Sequence, residues 1–447
     1  MNQATFKIIV CILMISLPVI SNEAQDSTWT FDECIHYALS RNIDIQKAEL
    51  VTQQNEVSYN QTKYNRLPSV EASVSHNTGW EKNRDQETNE YGPYSGSSSM
   101  NYGINSSVKL FNGFKINTQI KKSQLDLQSG KYYSQKIKES IELNILEAYL
   151  SIMYAQEEVN NAYEQLETTQ EQLTLAKEKM NVGIISKSDY LQIESEYASE
   201  KLTLANANSS LTMAKVNLMQ LMELPVTDDF TIATPDVDLL LQQDYEHVTS
   251  AIYSEALEVK PEIKEAKLNT ESVKLDQKIA RADLFPSLNM SAGASTGWSD
   301  NITGYNYSSQ LENRLAPYVG VSMNIPIFQK NQVKTNITSA KISYNNAILE
   351  EMETKNNLRK VIEQAVVDAN TARAEYQACI EQYEAIKESY QVAENKFELG
   401  LINSVEFLII RNDLIMAESN LLQSKFKLIY SHKVIDFYKG SSVSLTA

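Results

Sequence analysis

The sequence predicts a mainly α-helical fold with a small β part, in which long antiparallel helical hairpins adjoin strands suited to a membrane barrel. Three observations carry this. Two stretches of roughly seventy residues run without proline in a helical pattern, four shorter stretches alternate apolar and polar residues, and the second half of the chain repeats the first. Only 13 of the 447 residues are Gly and 9 are Pro, which suits long uninterrupted elements.

The repeat is read from landmarks. Leu67-Pro68-Ser69 returns as Phe285-Pro286-Ser287, and Thr78-Gly79-Trp80 as Thr296-Gly297-Trp298. Gly103, Phe111 and Gly183 return as Gly320, Phe328 and Gly400, so the offset stays at 217–218 residues along the chain. A constant offset over this length marks a tandem duplication. The predicted division is a signal segment (1–24), a first repeat (25–222), a linker (223–245), a second repeat (246–436) and a tail (437–447).

In chain order, Lys7 followed by the apolar run Ile8–Ile20 and then Ser-Asn-Glu-Ala-Gln reads as a secretory signal peptide cleaved near Ser21 or Ala24. The run is too short to span a bilayer as an ordinary helix. Cys11 lies inside it, which argues against a lipid-anchored mature N-terminus. Cys34 and Cys379 stand without a spacing motif and read as buried small hydrophobes.

A first helix is predicted over 30–66, ended by Pro68, which removes a donor and resets the backbone. Strand alternation follows: Val70, Ala72 and Val74 on one face, Ser69, Glu71, Ser73 and Ser75 on the other. The partner strand places Tyr102, Ile104, Val108 and Leu110 opposite Asn101, Asn105, Ser107 and Lys109. The second repeat gives Leu288, Met290, Ala292 and Ala294, then Val319, Val321, Met323, Ile325 and Ile327. Apolar-out, polar-in strands of about ten residues are the pattern of a membrane barrel. The segments 81–100 and 299–317 read as long polar loops, with Trp80 and Trp298 at matched strand ends where interfacial aromatics belong. Four strands cannot close a barrel, and lipid does not tolerate an open edge. Several chains must share one barrel, and the duplication leaves open whether two, three or four do so.

From Lys115 to about Val182 the pattern is one helix, a rod of about 100 Å at 1.5 Å per residue. Near its end Ala162, Leu166, Thr169, Leu173, Ala176 and Met180 follow heptad spacing, as do Cys379, Tyr383, Ile386, Tyr390, Ala393 and Phe397. The stretches NVGIISKSD (181–189) and ELGLINSVE (398–406) then interrupt the helices. Gly183 and Gly400 suit left-handed helix ends. Ser186, with Asp189 as capping-box acid, and Ser404 restart return helices over 186–222 and 403–436.

The formal net charge of −17 excludes nucleic acid as a partner, because nothing would neutralise phosphates. No HExxH, P-loop or G-x-S-x-G occurs, and His36, His76, His247 and His432 lack metal-ligand spacing. The reading is therefore no enzyme, no cofactor and no metal.

Trp29-Thr30-Phe31-Asp32-Glu33-Cys34-Ile35 with Ala38-Leu39 and Asn42, the helix-Pro-strand junctions, Leu110-Phe111-Asn112-Gly113 and the duplicated glycine tips together resemble the TolC-type outer-membrane efflux proteins. The resemblance covers essentially the whole mature chain. It implies a homotrimer in outer-membrane lipid, each chain giving four strands to a twelve-stranded barrel above a trimeric α-barrel crossing the periplasm. It also implies a periplasmic adaptor (a membrane fusion protein) docking at the tips, Gly183, Ile184, Ser186, Gly400, Leu401 and Ser404, and an inner-membrane pump supplying energy. Such a chain is a passive exit duct for efflux or type I secretion. By resemblance Glu406 faces the periplasmic aperture and Asp189 helps hold the closed tips together. Two positions depart from the pattern: Ile402 replaces its arginine and Ile409 its second acid, leaving Lys187 or Arg411 to close any ionic lock. The alternative is an exported coiled-coil spacer or adhesin without a pore.

Overall fold

The computed structural model describes residues 28–84, 87, 89–227, 229–237, 241, 248–441 and 443–445. The signal segment, positions 228, 238–240 and 242–245 of the linker, and the first two residues of the second repeat lie outside them.

The predicted first helix is two helices, α1 (Phe31–Arg41) and α2 (Ile43–Tyr64), broken at Asn42. Thr30 and Glu33 form a capping box at the start of α1, and the Asn42 side chain accepts from Asp44 N and Ile45 N to cap α2. The second repeat breaks at the same place, α5 (Thr249–Val259) ending at Lys260 and α6 (Pro261–Ala282) opening with proline at its first position. Pro261 marks the second break in the sequence, whereas the first rests on the Asn42 cap alone.

The long rods are α3 (Lys115–Asn181) and α8 (Gln332–Glu398), each of 67 residues. Each is entered through two successive left-handed residues, Gly113-Phe114 and Lys330-Asn331. At Gly113 a Cβ would lie 2.6 Å from the Ala282 carbonyl, so the close approach and the positive φ both require glycine. The return helices are α4 (Lys187–Leu221) and α9 (Ser404–Tyr438). The heptad residues predicted for the hairpin seams are buried or half-buried, with Ala162, Thr169, Ala176 and Ala393 deepest.

Strands β1 (Ser69–Arg84), β2 (Tyr91–Asn112), β3 (Ser287–Ser299) and β4 (Ala316–Asn324) form one antiparallel sheet in the order β1-β2-β3-β4. Val74 lies opposite Tyr102, Ala72 opposite Ile104, Ile104 opposite Ala294 and Met290 opposite Val321, so the predicted apolar residues share one face. The register is duplicated along with the residues: Ser69 opposite Ser107 recurs as Ser287 opposite Asn324.

Three strand boundaries differ from expectation. The segment 81–100 is mostly strand, because the alternation continues through its serines and tyrosines. The segment 299–317 contains a short helix, α7 (Tyr307–Asn313), capped by Asn306. Ile325 and Ile327 lie beyond the end of β4, next to Pro326, which cannot donate to a ladder.

The larger core sits midway along the rods, where α1, α3, α4 and α9 meet. Phe31, Cys34, Ile145, Tyr149, Leu218, Met219, Phe230 and Ile429 are buried there. A parallel bridge between Trp29 and Ile232 lays the linker beside the N-terminal segment. Tyr149 bridges both, its hydroxyl donating to the carbonyls of Trp29 and Ala233. Val443 and Leu445 of the tail are buried in the same core. Burial pushes the Cys34 thiol up to about 12, which fits an inert, packed cysteine.

Candidate functional site

Both hairpin tips are built alike. Gly183 (φ 81°) and Gly400 (φ 73°) end α3 and α8 in the left-handed region. Ile184 N donates to Lys179 O at 2.8 Å and Gly183 N to Met180 O at 3.0 Å. Leu401 N donates to Lys396 O at 2.8 Å and Gly400 N to Phe397 O at 3.1 Å. This paired closure satisfies the last helical carbonyls. A Cβ at either glycine would meet nothing within 4 Å, so backbone conformation alone calls for glycine there. The chain beyond leaves Val182, Ile184, Leu399 and Leu401 at the surface, each about 70% or more exposed.

The restarts differ. Ser186 caps α4 as predicted: Asp189 N donates to its hydroxyl at 3.1 Å, and Ser186 N donates to Asp189 Oδ2, also at 3.1 Å. The cap of α9 is Asn403, whose Oδ1 accepts from Glu406 N at 2.9 Å, and not Ser404. Displaced one position into the helix, Ser404 is buried and its hydroxyl donates to Asp189 Oδ1 at 2.8 Å. Asp189 thus serves the cap of one hairpin with one oxygen and grips the other hairpin with its second. Hydrogen bonds from Ser186 and Ser404 hold its carboxyl below the ordinary value near 3.8. Glu406 is exposed at the opening turn of α9.

Further along the hairpins, Arg411 of α9 is buried. It donates to Gln165 O at 3.2 Å, Gln172 Oε1 at 3.3 Å and the Thr169 hydroxyl on α3, and lies 3.5 Å from Glu200 Oε1 on α4. Burial raises the Glu200 pKa, and the Arg411 charge opposes that rise. A buried charge survives only when paired and hydrogen-bonded. Glu200 and the three α3 partners are what sequence reasoning missed. An arginine on the apolar seam of α9 was the available signal. In the second hairpin, Phe407 stacks on Phe397 with ring centroids 4.6 Å apart.

At the opposite end, Trp80 projects from the apolar face of β1, 70% exposed. Trp298 is half-buried instead, with the Tyr307 ring 6.1 Å away and the Tyr307 hydroxyl 2.7 Å from that of Tyr102. The short helix α7 therefore folds over one of the two predicted interface aromatics. Among the described residues no helix is long and apolar enough to cross a membrane, and no cluster of metal-ligating side chains occurs.

The chain thus joins two long-helix hairpins to a four-stranded sheet with one apolar face, and comparison with known proteins gives its family. The model of the outer membrane efflux proteins matches residues 34–223 and 252–429, and the chain belongs to that family. The probable efflux pump outer membrane protein TtgC of Pseudomonas putida is 22% identical over 193 residues, a match covering 43% of this chain and 38% of TtgC. BepC, an outer membrane efflux protein of Brucella suis biovar 1, is 20% identical over 328 residues, covering 73% of this chain and 69% of BepC. Among solved structures, CusC superposes with a TM-score of 0.80 at 18% identity, covering 92% of each chain. The Campylobacter jejuni CmeC outer membrane channel gives 0.79 at 18% identity, covering 93% of this chain and 87% of CmeC. The protein is thus an outer membrane protein of this family, and its fold is shared with solved outer membrane channels.

Proposed function

We propose that the chain is the exit duct of a tripartite efflux or type I secretion system. It acts as a homotrimer in which each copy contributes four strands to a twelve-stranded barrel and two hairpins to a hollow α-barrel. The observation that carries this reading is the sheet itself. It has one apolar and one polar face, and the outer edges of β1 and β4 have no partner among the described residues. A membrane sheet must close, and three copies close it with strands to spare over the minimum of about eight. The repeats (25–222 and 246–436) then supply the tunnel wall, while the linker and the tail pack into the girdle around Tyr149.

The tips are the periplasmic end. The exposed apolar residues flanking Gly183 and Gly400 are the surface an adaptor would cover, and Glu406 lines the aperture. Closure rests on contacts between the hairpins, and the adaptor favours their separation. An energised inner-membrane pump supplies cargo, which the duct passes without chemistry. Planar-bilayer conductance of the purified protein tests this, with Glu406→Ala beside the unaltered chain. A pore whose cation selectivity falls in the variant is expected. Absence of any pore would reject the duct, and unchanged selectivity would reject Glu406 as an aperture residue.

A further inference from the structure

We infer that the pairing of β2 with β3 inside the chain is the template for the pairing of β4 with β1 of a second copy, and that it fixes the register of that seam. The inference deepens the ring reading above and rests on it.

Duplication carries β1 onto β3 with a shift of 218 residues and β2 onto β4 with a shift of 217. The hairpin register obeys these shifts: Ser69–Ser107 becomes Ser287–Asn324, and Ser73–Gly103 becomes Ser291–Gly320. The two hairpins are thus equivalent in pairing as well as in pattern. The β2–β3 seam joins one hairpin to the next, with Ser107 opposite Ser291 and Ser99 opposite Ser299. In a ring of alternating equivalent hairpins, the seam between copies repeats that relation. Applying the same shifts sets Asn324 opposite Ser73 of the next copy and Ala316 opposite its Glu81.

This register has three consequences. Polar residues meet polar ones on the inner face, Ser322 opposite Ser75 and Asn324 opposite Ser73. On the outer face Met323 comes opposite Val74, Val321 opposite His76 and Val319 opposite Thr78. Trp80 comes opposite Pro317, the place Trp298 holds opposite Met100 within the chain. A slip of one residue would turn the polar set toward lipid. Pro317 lacks an N–H, so the seam tolerates one donor fewer at its outer end.

Cysteine cross-linking in native outer membranes tests the register, with Cys34→Ala and Cys379→Ala as background. Ser75→Cys with Ser322→Cys, and Val74→Cys with Met323→Cys, sample the two alternating pair types of an antiparallel ladder. Within one chain β1 and β4 are three strand spacings apart, about 14 Å, so any disulfide formed must join copies. Covalent trimers from at least one of these pairs, and none from Ser73→Cys with Gly320→Cys, displaced by four residues, are expected. Trimers from the displaced pair instead would overturn the register while leaving the ring intact. Monomers from all three pairs would overturn both.

Discussion

The Ser404 hydroxyl donates to Asp189 Oδ1 at 2.8 Å, joining two hairpins through residues 215 apart in sequence. Asp189 holds its own helix cap with the other oxygen, so the link and the cap separate by mutation. Ser404→Ala should leave the α4 cap intact, weaken closure by about 1 kcal/mol at this partly solvated position, and raise the open probability several-fold in bilayer recordings. Asp189→Ala should add the loss of the cap, a further cost of about 1 kcal/mol.

The same carboxylate gives the tips an acid limit. Its pKa is lowered in the closed tips, so its contribution is complete above the ordinary carboxylate range. That contribution disappears as pH falls through the lowered value. Conductance recorded on titration below pH 4 should rise in the unaltered channel, and the rise should be absent in Asp189→Asn.

Arg411→Met should cost about 3–5 kcal/mol, because it leaves the Glu200 carboxylate buried without its cation. The Glu200 pKa is already raised by burial and loses the charge that opposes the rise. Its protonated form is then the one the fold favours, so the variant should lose stability as pH rises through that raised pKa. Thermal melts followed by circular dichroism across pH check the direction. Combining Arg411→Met with Glu200→Gln should recover much of the loss and flatten the pH profile.

Gly183→Asn and Gly400→Asn should be nearly neutral for folding, since asparagine tolerates a positive φ and a side chain there meets open space. Gly183→Val should cost about 1–2 kcal/mol from backbone strain alone. If the tips dock an adaptor, the asparagine variants should still lose export, measured as drug or dye retention in cells. Melting temperature should stay within a few degrees.

Much of this architecture was legible because it is periodic. Heptad spacing marked the hairpin seams, alternation marked the strand faces, and a constant offset marked the duplication. What escaped notice has no period. Asn42 and Lys260 each break a helix at a single residue, and only Pro261, beside the second, is a local signal. The α9 cap fell to Asn403 because a side-chain amide at that position reaches Glu406 N, while Ser404 finds its partner only across the tertiary gap to Asp189. Helix α7 is seven residues long, too short for a periodic signal. The Arg411 cluster draws on residues from three helices, and no local spacing announces it.

The two helix breaks also set how each return helix is anchored. At the first, the Asn42 amide donates to Leu221 O at 2.9 Å at the end of α4, a contact that holds only over a narrow angular range. At the duplicated position, buried Lys260 sits 3.0 Å from Glu139 Oε2 and 3.3 Å from the centre of the Phe437 ring at the end of α9. An ammonium held by a charge and a ring face is constrained in distance far more than in direction. The first return helix is therefore held by a directed neutral hydrogen bond and the second by a charge and a ring face, so an evenly duplicated chain has two joints of different chemistry.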